Sequence, residues 1–222
     1  MMVLERLRLE ARSLWRRLTG AKRRARAQAM HQFDQALADL HPGDIAIDLG
    51  ANLGLFTSRM AATGARVFAF EPDPHALSRL RAALAGQGNV TVIAAAAGVQ
   101  DGSIRLFRHR DFDNNPDQRS TGSSIIEGKR HMREDQSVEV ELRDFLRFLR
   151  ELDAPVKLLK IDIEGAEVPL LEALLTRPEA DRIDRIFVET HERVLPALAA
   201  RTRALKALAA TRTRPAINWD WH

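Results

Sequence analysis

The chain has 222 residues, 45% of them hydrophobic, carries a formal net charge of +4 at pH 7 and contains no cysteine. That length can bury a full core as one domain, or as one domain with a small appendage. The absence of thiols excludes a disulfide framework and a thiolate metal site, so a cytoplasmic protein is expected. The first residues, "MMVLERLRLEARSLW", interrupt their apolar positions with Glu5, Arg6, Arg8, Glu10 and Arg12. They therefore lack the continuous apolar run of a signal peptide or a membrane span, and a soluble chain is expected.

Charge is concentrated at one end. Residues 1–26 hold nine Arg or Lys against two Glu, an excess of seven positive charges, so the rest of the chain is slightly acidic. Val3, Leu4, Leu7, Leu14, Trp15 and Leu18 recur at roughly helical spacing, which predicts an amphipathic helix with a basic face. Such a helix packs on the domain or on a neighbouring subunit, lies on an anionic membrane surface as a peripheral contact, or touches nucleic acid. Packing is the plainer reading, and no nucleic-acid-binding fold accompanies the helix. Residues 1–40 read as a basic helical extension and 41–222 as the main domain; nothing in the sequence sets the oligomeric state.

Beyond the extension, short apolar runs alternate with helical patterns. "DIAIDLG" (44–50), "ARVFAFE" (65–71), "VTVIAAA" (90–96), "VKLLKIDI" (156–163) and "RIFVET" (185–190) read as strands of a buried parallel sheet. A helix is expected around Leu53, Phe56 and Met60. Another follows Asp73, which can cap it, with Pro74 at its first position, a stripe of Leu77, Leu80 and Leu84, and Gly86 at its end. "AEVPLLEALL" makes a further helix if Pro169 lies in the first turn. This order predicts an α/β fold with a doubly wound, Rossmann-like sheet and right-handed crossovers.

One segment breaks the alternation. "SIRLF" (103–107) and "SVEVEL" (137–142) have the length of extra strands, and the polar stretch between them, about 108–136, reads as a functional lid or an insert.

The stretch "IDLGANLGLF" places a glycine-bearing turn between the first strand and its helix, where ligands of an open parallel sheet bind. A dinucleotide fingerprint would put glycines where Asn52 and Leu55 stand, so a pyrophosphate ligand fits poorly. S-adenosylmethionine has an amino-acid tail and an adenosine instead, and asks for a bare turn, polar side chains and an acid for the ribose. Asp48, Gly50, Asn52 and Gly54 form D-x-G-x-N-x-G. Glu71 ends the second strand at the spacing, about 20 residues on, of the ribose-binding acid in dinucleotide folds. The plainer reading is a tight strand-to-helix turn with a solvated Glu71.

"IDLGANLGLFTSRMA", "VFAFEPDPHALSRLRAAL", "LLKIDIEGAEVPLLEAL" and "IFVETH", in this order, resemble the FkbM-type S-adenosylmethionine-dependent methyltransferases over about residues 44–191. The resemblance implies methyl transfer, usually to oxygen, on hydroxyls of sugars, glycans, polyketides or other secondary metabolites. It also implies that Asp48, Gly50, Asn52 and Gly54 line the cofactor tail and Glu71 the ribose. "RPAINWDWH" stands where related folds carry a terminal strand hairpin. An RNA methyltransferase and a catalytically silent, cofactor-binding partner subunit are the alternative readings.

Transfer of a methyl group to a hydroxyl needs alignment and a proton acceptor. Two-residue alternation puts Asp162 and Glu164 on one side of the fourth strand end, and Glu189 and His191 on one side of the fifth. His191, near-neutral at physiological pH, is expected to serve as a base. These carboxylates and the imidazole could also hold Mg²⁺, although the spacing does not require a metal. Ser123 and Ser124 in the long segment are candidate donors to cofactor or acceptor, or simply turn formers. Trp219 and Trp221 either stack on a sugar or pack a terminal strand, and packing is the plainer expectation.

Overall fold

The computed structural model describes residues 20–120, 123–126 and 132–221. The amphipathic helix expected over the first 18 residues lies outside them. The chain runs α1 (Ala21–Ala38), β1 (Ile45–Leu49), α2 (Leu55–Ala61), β2 (Arg66–Phe70), α3 (Pro74–Ala83), β3 (Val90–Ile93), β4 (Ala96–Gly98) and β5 (Gly102–His109). It continues with α4 (Pro116–Arg119), β6 (Met132–Asp144), α5 (Phe145–Glu151), β7 (Val156–Ile161), α6 (Glu167–Leu175), β8 (Ile183–Val188), α7 (Ala199–Ala210) and β9 (Ala216–Asn218).

Six strands form one parallel sheet in the order β3-β2-β1-β7-β8-β9. Winding runs outward from β1 in one direction and from β7 in the other, so the carboxyl ends of these two neighbours part and leave a crevice. Both faces are covered, which is why the strands read as continuous apolar runs. Ile45, Ile47 and Leu49 of β1 and Leu159 and Ile161 of β7 pack with Phe145, Leu149 and Leu171. Ala46 and Leu158 point the other way, toward Phe33, Met60, Phe187 and Trp221. α1 and the residues directly after it are therefore built into the domain through Phe33, Ala36 and Leu40, so the chain before residue 41 is not wholly an appendage.

The helix signals are used as expected. Asp73 caps α3 by accepting from the His75 and Ala76 backbone N–H groups, and Pro74 opens the helix. Pro169 falls in the first turn of α6, where its missing N–H has no intrahelical partner to lose.

Two expectations change. The run 90–96 is not one strand: it leaves the main sheet after Ile93, and Ala96–Gly98 enters a second sheet of order β4-β6-β5. The expected extra strands are β5 and β6, each longer than predicted, and they pair antiparallel from Gly102↔Leu142 out to His109↔Met132. The polar segment thus shortens to 110–131 and contains a 3₁₀ turn at Phe112–Asn114 and the short α4. The terminal piece adds β9 as a sixth strand, parallel to β8. Trp221 packs against Phe33, Phe56 and Phe187, in agreement with a packing role.

Candidate active site at the parting of two strands

The crevice between β1 and β7 opens into a cavity of about 680 Å³, measured out to open solvent, with Gly50, Asn52, Glu71, Ser123, Asp162 and Glu164 on its wall. On the β1 side the chain turns with Gly50 at φ 79° and Asn52 at φ 48°. A Cβ on Gly50 would stand 1.8 Å from the Asp162 carbonyl oxygen, so glycine is required there both by conformation and by the approach of the neighbouring strand. Glu71 accepts from the Asn52 N–H at 2.7 Å and the Asp73 N–H at 2.8 Å, clamping the turn. Burial pushes its carboxyl up to about 7, against the lowering effect of those two hydrogen bonds.

Two residues of the D-x-G-x-N-x-G pattern lie behind the wall rather than on it. Asp48 is fully buried; its oxygens accept from Thr57 Oγ1 at 2.7 Å and Lys160 Nζ at 3.0 Å. Alternation on β1 turns it under α2, and its register partner on β7 is Lys160 itself. Lys160 also donates to the Gly50 carbonyl at 3.0 Å, tying the turn to β7. Gly54 starts α2 at φ 92° and faces Leu80, whose Cδ1 would be 2.8 Å from an added Cβ; its role is helix packing.

On the β7–β8 side the four predicted residues assemble, though not by alternation. β7 ends at Ile161, and Glu164 sits in a turn at φ 57°. His191 follows β8 by three residues, and its Nε2 lies 3.9 Å from Asp162 Oδ1 and 3.4 Å from Glu164 Oε2. Its Nδ1 is 3.0 Å from Glu167 Oε1, an ion-pair contact without hydrogen-bond alignment. Glu167, fully buried in the first turn of α6, also accepts from the Ile163 N–H at 2.9 Å and the Gly165 N–H at 2.8 Å. Burial alone would lower the His191 pKa, but Glu167, Glu164 and Asp162 together raise it to about 9. The imidazole is thus cationic at neutral pH, which overturns the expectation of a near-neutral base. Burial and then the Asp162 charge push Glu189 up to about 7, and burial raises Asp162 as well.

Ser120, Ser123, Ser124 and Ile125 of the long segment also line the cavity. Ser120 Oγ donates to Asn52 Oδ1 at 2.9 Å, and Ser124 Oγ donates to the Glu164 carbonyl at 2.6 Å, bridging the two walls. Ser124 is therefore a strut between segments. Ser123 Oγ is buried on the cavity side and has no hydrogen-bond partner among the described residues. The arm is fastened outside by Arg108, which donates to the buried Asp73 at 2.8 and 3.2 Å and stacks on Phe112, and by Asp117 against His75 and Arg79.

Lys160, Glu167, Thr57 and Ser120 escaped the sequence reading. Only the first two left a trace: a lysine inside the apolar run "VKLLKIDI", and a glutamate at a helix start directly after "IDIEG". The cavity combines a carboxylate clamp, an unpartnered hydroxyl and an opposite carboxylate–imidazole group. That donor set fits a ligand with ribose hydroxyls and a charged tail, and an acceptor that gives up a proton.

Comparison with known proteins agrees in kind. Residues 48–205 match the family profile of the methyltransferase FkbM domain. "Methyltransferase 1" of Beauveria bassiana is 29% identical over 157 residues, covering 64% of this chain and 63% of that protein. Ribosomal RNA small subunit methyltransferase A of Pelotomaculum thermopropionicum is 42% identical over 60 residues, 27% of this chain and 20% of that one. The chain therefore spans less than two thirds of the length of these relatives. A crystal structure of methyltransferase FkbM from Methylobacillus flagellatus superposes with a TM-score of 0.46 at 16% identity, over 81% of this chain and 42% of that one. Since the profile spans most of the sequence, the chain belongs to the FkbM methyltransferase-domain family.

Proposed function

We propose that the protein is an S-adenosylmethionine-dependent O-methyltransferase acting on a hydroxyl of a sugar, glycan or secondary metabolite. The observation that carries this reading is the pairing of two walls in one cavity: the Glu71-clamped turn faces Asp162 and Glu164. The bound cofactor supplies an electrophilic methyl group on a sulfonium. Gly50 and Asn52 admit its tail past bare backbone, Glu71 accepts its ribose hydroxyls, and Ser123 Oγ is available to donate to cofactor or acceptor. One of the carboxylates Asp162, Glu164 and Glu189 receives the single proton that the acceptor hydroxyl releases. The His191 cation balances their charge, and Glu167 stands as a counter-charge behind the ring.

Labelled S-adenosylmethionine offered with a panel of hydroxylated sugars and metabolites tests this. Transfer to a hydroxyl is expected, and Asp162→Asn and Glu164→Gln should lower turnover by about 10²–10⁴-fold while leaving cofactor affinity near wild type. A ribosomal RNA acceptor is the second reading, favoured by the local likeness to ribosomal RNA methyltransferases over 60 residues and by exposed Arg23, Arg24 and Arg26 on α1. Label entering RNA with steep salt dependence would replace the small-molecule reading. Cofactor binding without transfer to either class would leave a silent partner subunit.

A further inference from the structure

We propose that Asp162, Glu164 and His191 form a binding site for a divalent cation of the Mn²⁺ or Mg²⁺ kind, on the cavity wall where the methyl acceptor would sit. One oxygen from each carboxylate and one imidazole nitrogen lie within 4.8 Å of one another. They come from three points on the fold: the end of β7, the turn after it and the segment after β8. Six-coordinate Mg²⁺ with bonds of about 2.1 Å sets neighbouring ligands about 3 Å apart. The present separations of 3.4 and 3.9 Å about Nε2 need to close by only about 1 Å or less.

The imidazole itself is the second, independent observation. Its side chain is only 9% exposed, and its inward nitrogen meets both carboxylates at distances longer than a normal hydrogen bond. Behind it, Glu167 is fully buried, is pinned by two backbone N–H groups and stands 3.0 Å from Nδ1. A carboxylate behind one ring nitrogen, with the other aimed at two carboxylates, is the usual setting of a metal-ligating histidine. Two hard oxygens with one imidazole and open positions suit Mn²⁺ or Mg²⁺ better than a closed zinc centre. Ser124 supports the arrangement by donating to the Glu164 carbonyl, which holds the turn in place.

A histidine ligates only as the neutral imidazole, so the cation takes the place of the His191 proton, which leaves to solvent, and supplies the positive charge among the carboxylates in its stead. Three protein ligands leave coordination positions facing the cavity, and a cation there would hold and polarise an acceptor hydroxyl. That role rests on the proposed transfer reaction, whereas binding of the cation does not.

The test is a Mn²⁺ titration of the full chain without cofactor or acceptor, followed by the loss of the free-ion electron paramagnetic resonance signal. One Mn²⁺ per chain, displaced by excess Mg²⁺, is expected. Glu164→Gln and His191→Ala should each weaken it at least tenfold, and Glu167→Gln by about 10–100-fold, the usual effect of removing an outer-shell partner. Circular dichroism and melting curves identify the folded variants; Glu164→Gln, isosteric and partly exposed, keeps the test decisive if His191→Ala does not fold. No stoichiometric binding, unchanged affinity in Glu164→Gln, or binding of Zn²⁺ alone would each overturn the proposal. A chain that binds Mn²⁺ through these residues yet transfers no methyl group keeps the cation site and overturns the transfer reading. Full turnover in chelator by a chain that binds no Mn²⁺ does the reverse.

Discussion

Glu71 serves the backbone directly and, in the proposed function, the cofactor as well. Its oxygens hold the Asn52 and Asp73 N–H groups, and burial raises its pKa to about 7. The folded state therefore keeps this proton over a range where the unfolded chain, at its ordinary 4.5, has lost it. Its contribution to stability falls as pH rises from about 4.5 through about 7. Ribose hydroxyls favour the ionised form, so cofactor affinity should tighten from pH 6 to pH 8. Glu71→Gln should flatten that profile, and Glu71→Ala should weaken binding by about 1.5–3 kcal/mol at pH 8. Calorimetry at three pH values checks this; equal profiles for wild type and Glu71→Gln would remove Glu71 from the ribose site. Glu71 was legible from its spacing. Asp48 was misplaced because a motif records which residues occur, whereas strand alternation decides which face each one takes.

Among the elements, the β5–β6 arm was the least legible. "MREDQ" shows no apolar alternation, so nothing local marks it as strand; its first residue, Met132, pairs with His109 far back in the chain, beyond an irregularity in the register. Its attachment can be tested at Arg108, which neutralises Asp73, itself 1% exposed. Arg108→Ala leaves that carboxylate without its charged partner and should cost about 1.5–3 kcal/mol of stability, read from the urea midpoint. Protease cleavage within 110–131 should accelerate in the same variant under native conditions. An unchanged midpoint and unchanged cleavage would show that the arm docks through its serines instead.

For the whole molecule, long-range packing joins ends that local patterns treat as separate. Phe33 of α1, Phe56 of α2, Phe187 of β8 and Trp221 near the C-terminus meet with ring centroids 4.6–5.6 Å apart. Trp221→Ala should destabilise the fold by about 3–5 kcal/mol, measured by urea unfolding, because the cavity it leaves is walled by three other rings. A loss under 1 kcal/mol would mean that the terminal segment contributes little to this core. Among the described residues no helix is long and apolar enough to cross a membrane.

The sequence alone determined the class of fold, the parallel strands β1, β2, β7 and β8, the capped helix α3, the Gly50 turn and the placing of Glu71, Asp162, Glu164 and His191 just beyond the strand ends. All of these rest on short-range signals: periodicity, turn chemistry and spacing within a single strand–helix unit. Tertiary structure decided that Asp48 pairs with Lys160 from a strand 112 residues away, and that Glu167 stands behind His191. It also decided that His191 is charged, since a histidine's pKa follows from the carboxylates that surround it and from its burial. Those carboxylates reach it from the end of β7 and the start of α6, and only the folded sheet brings these together with the end of β8.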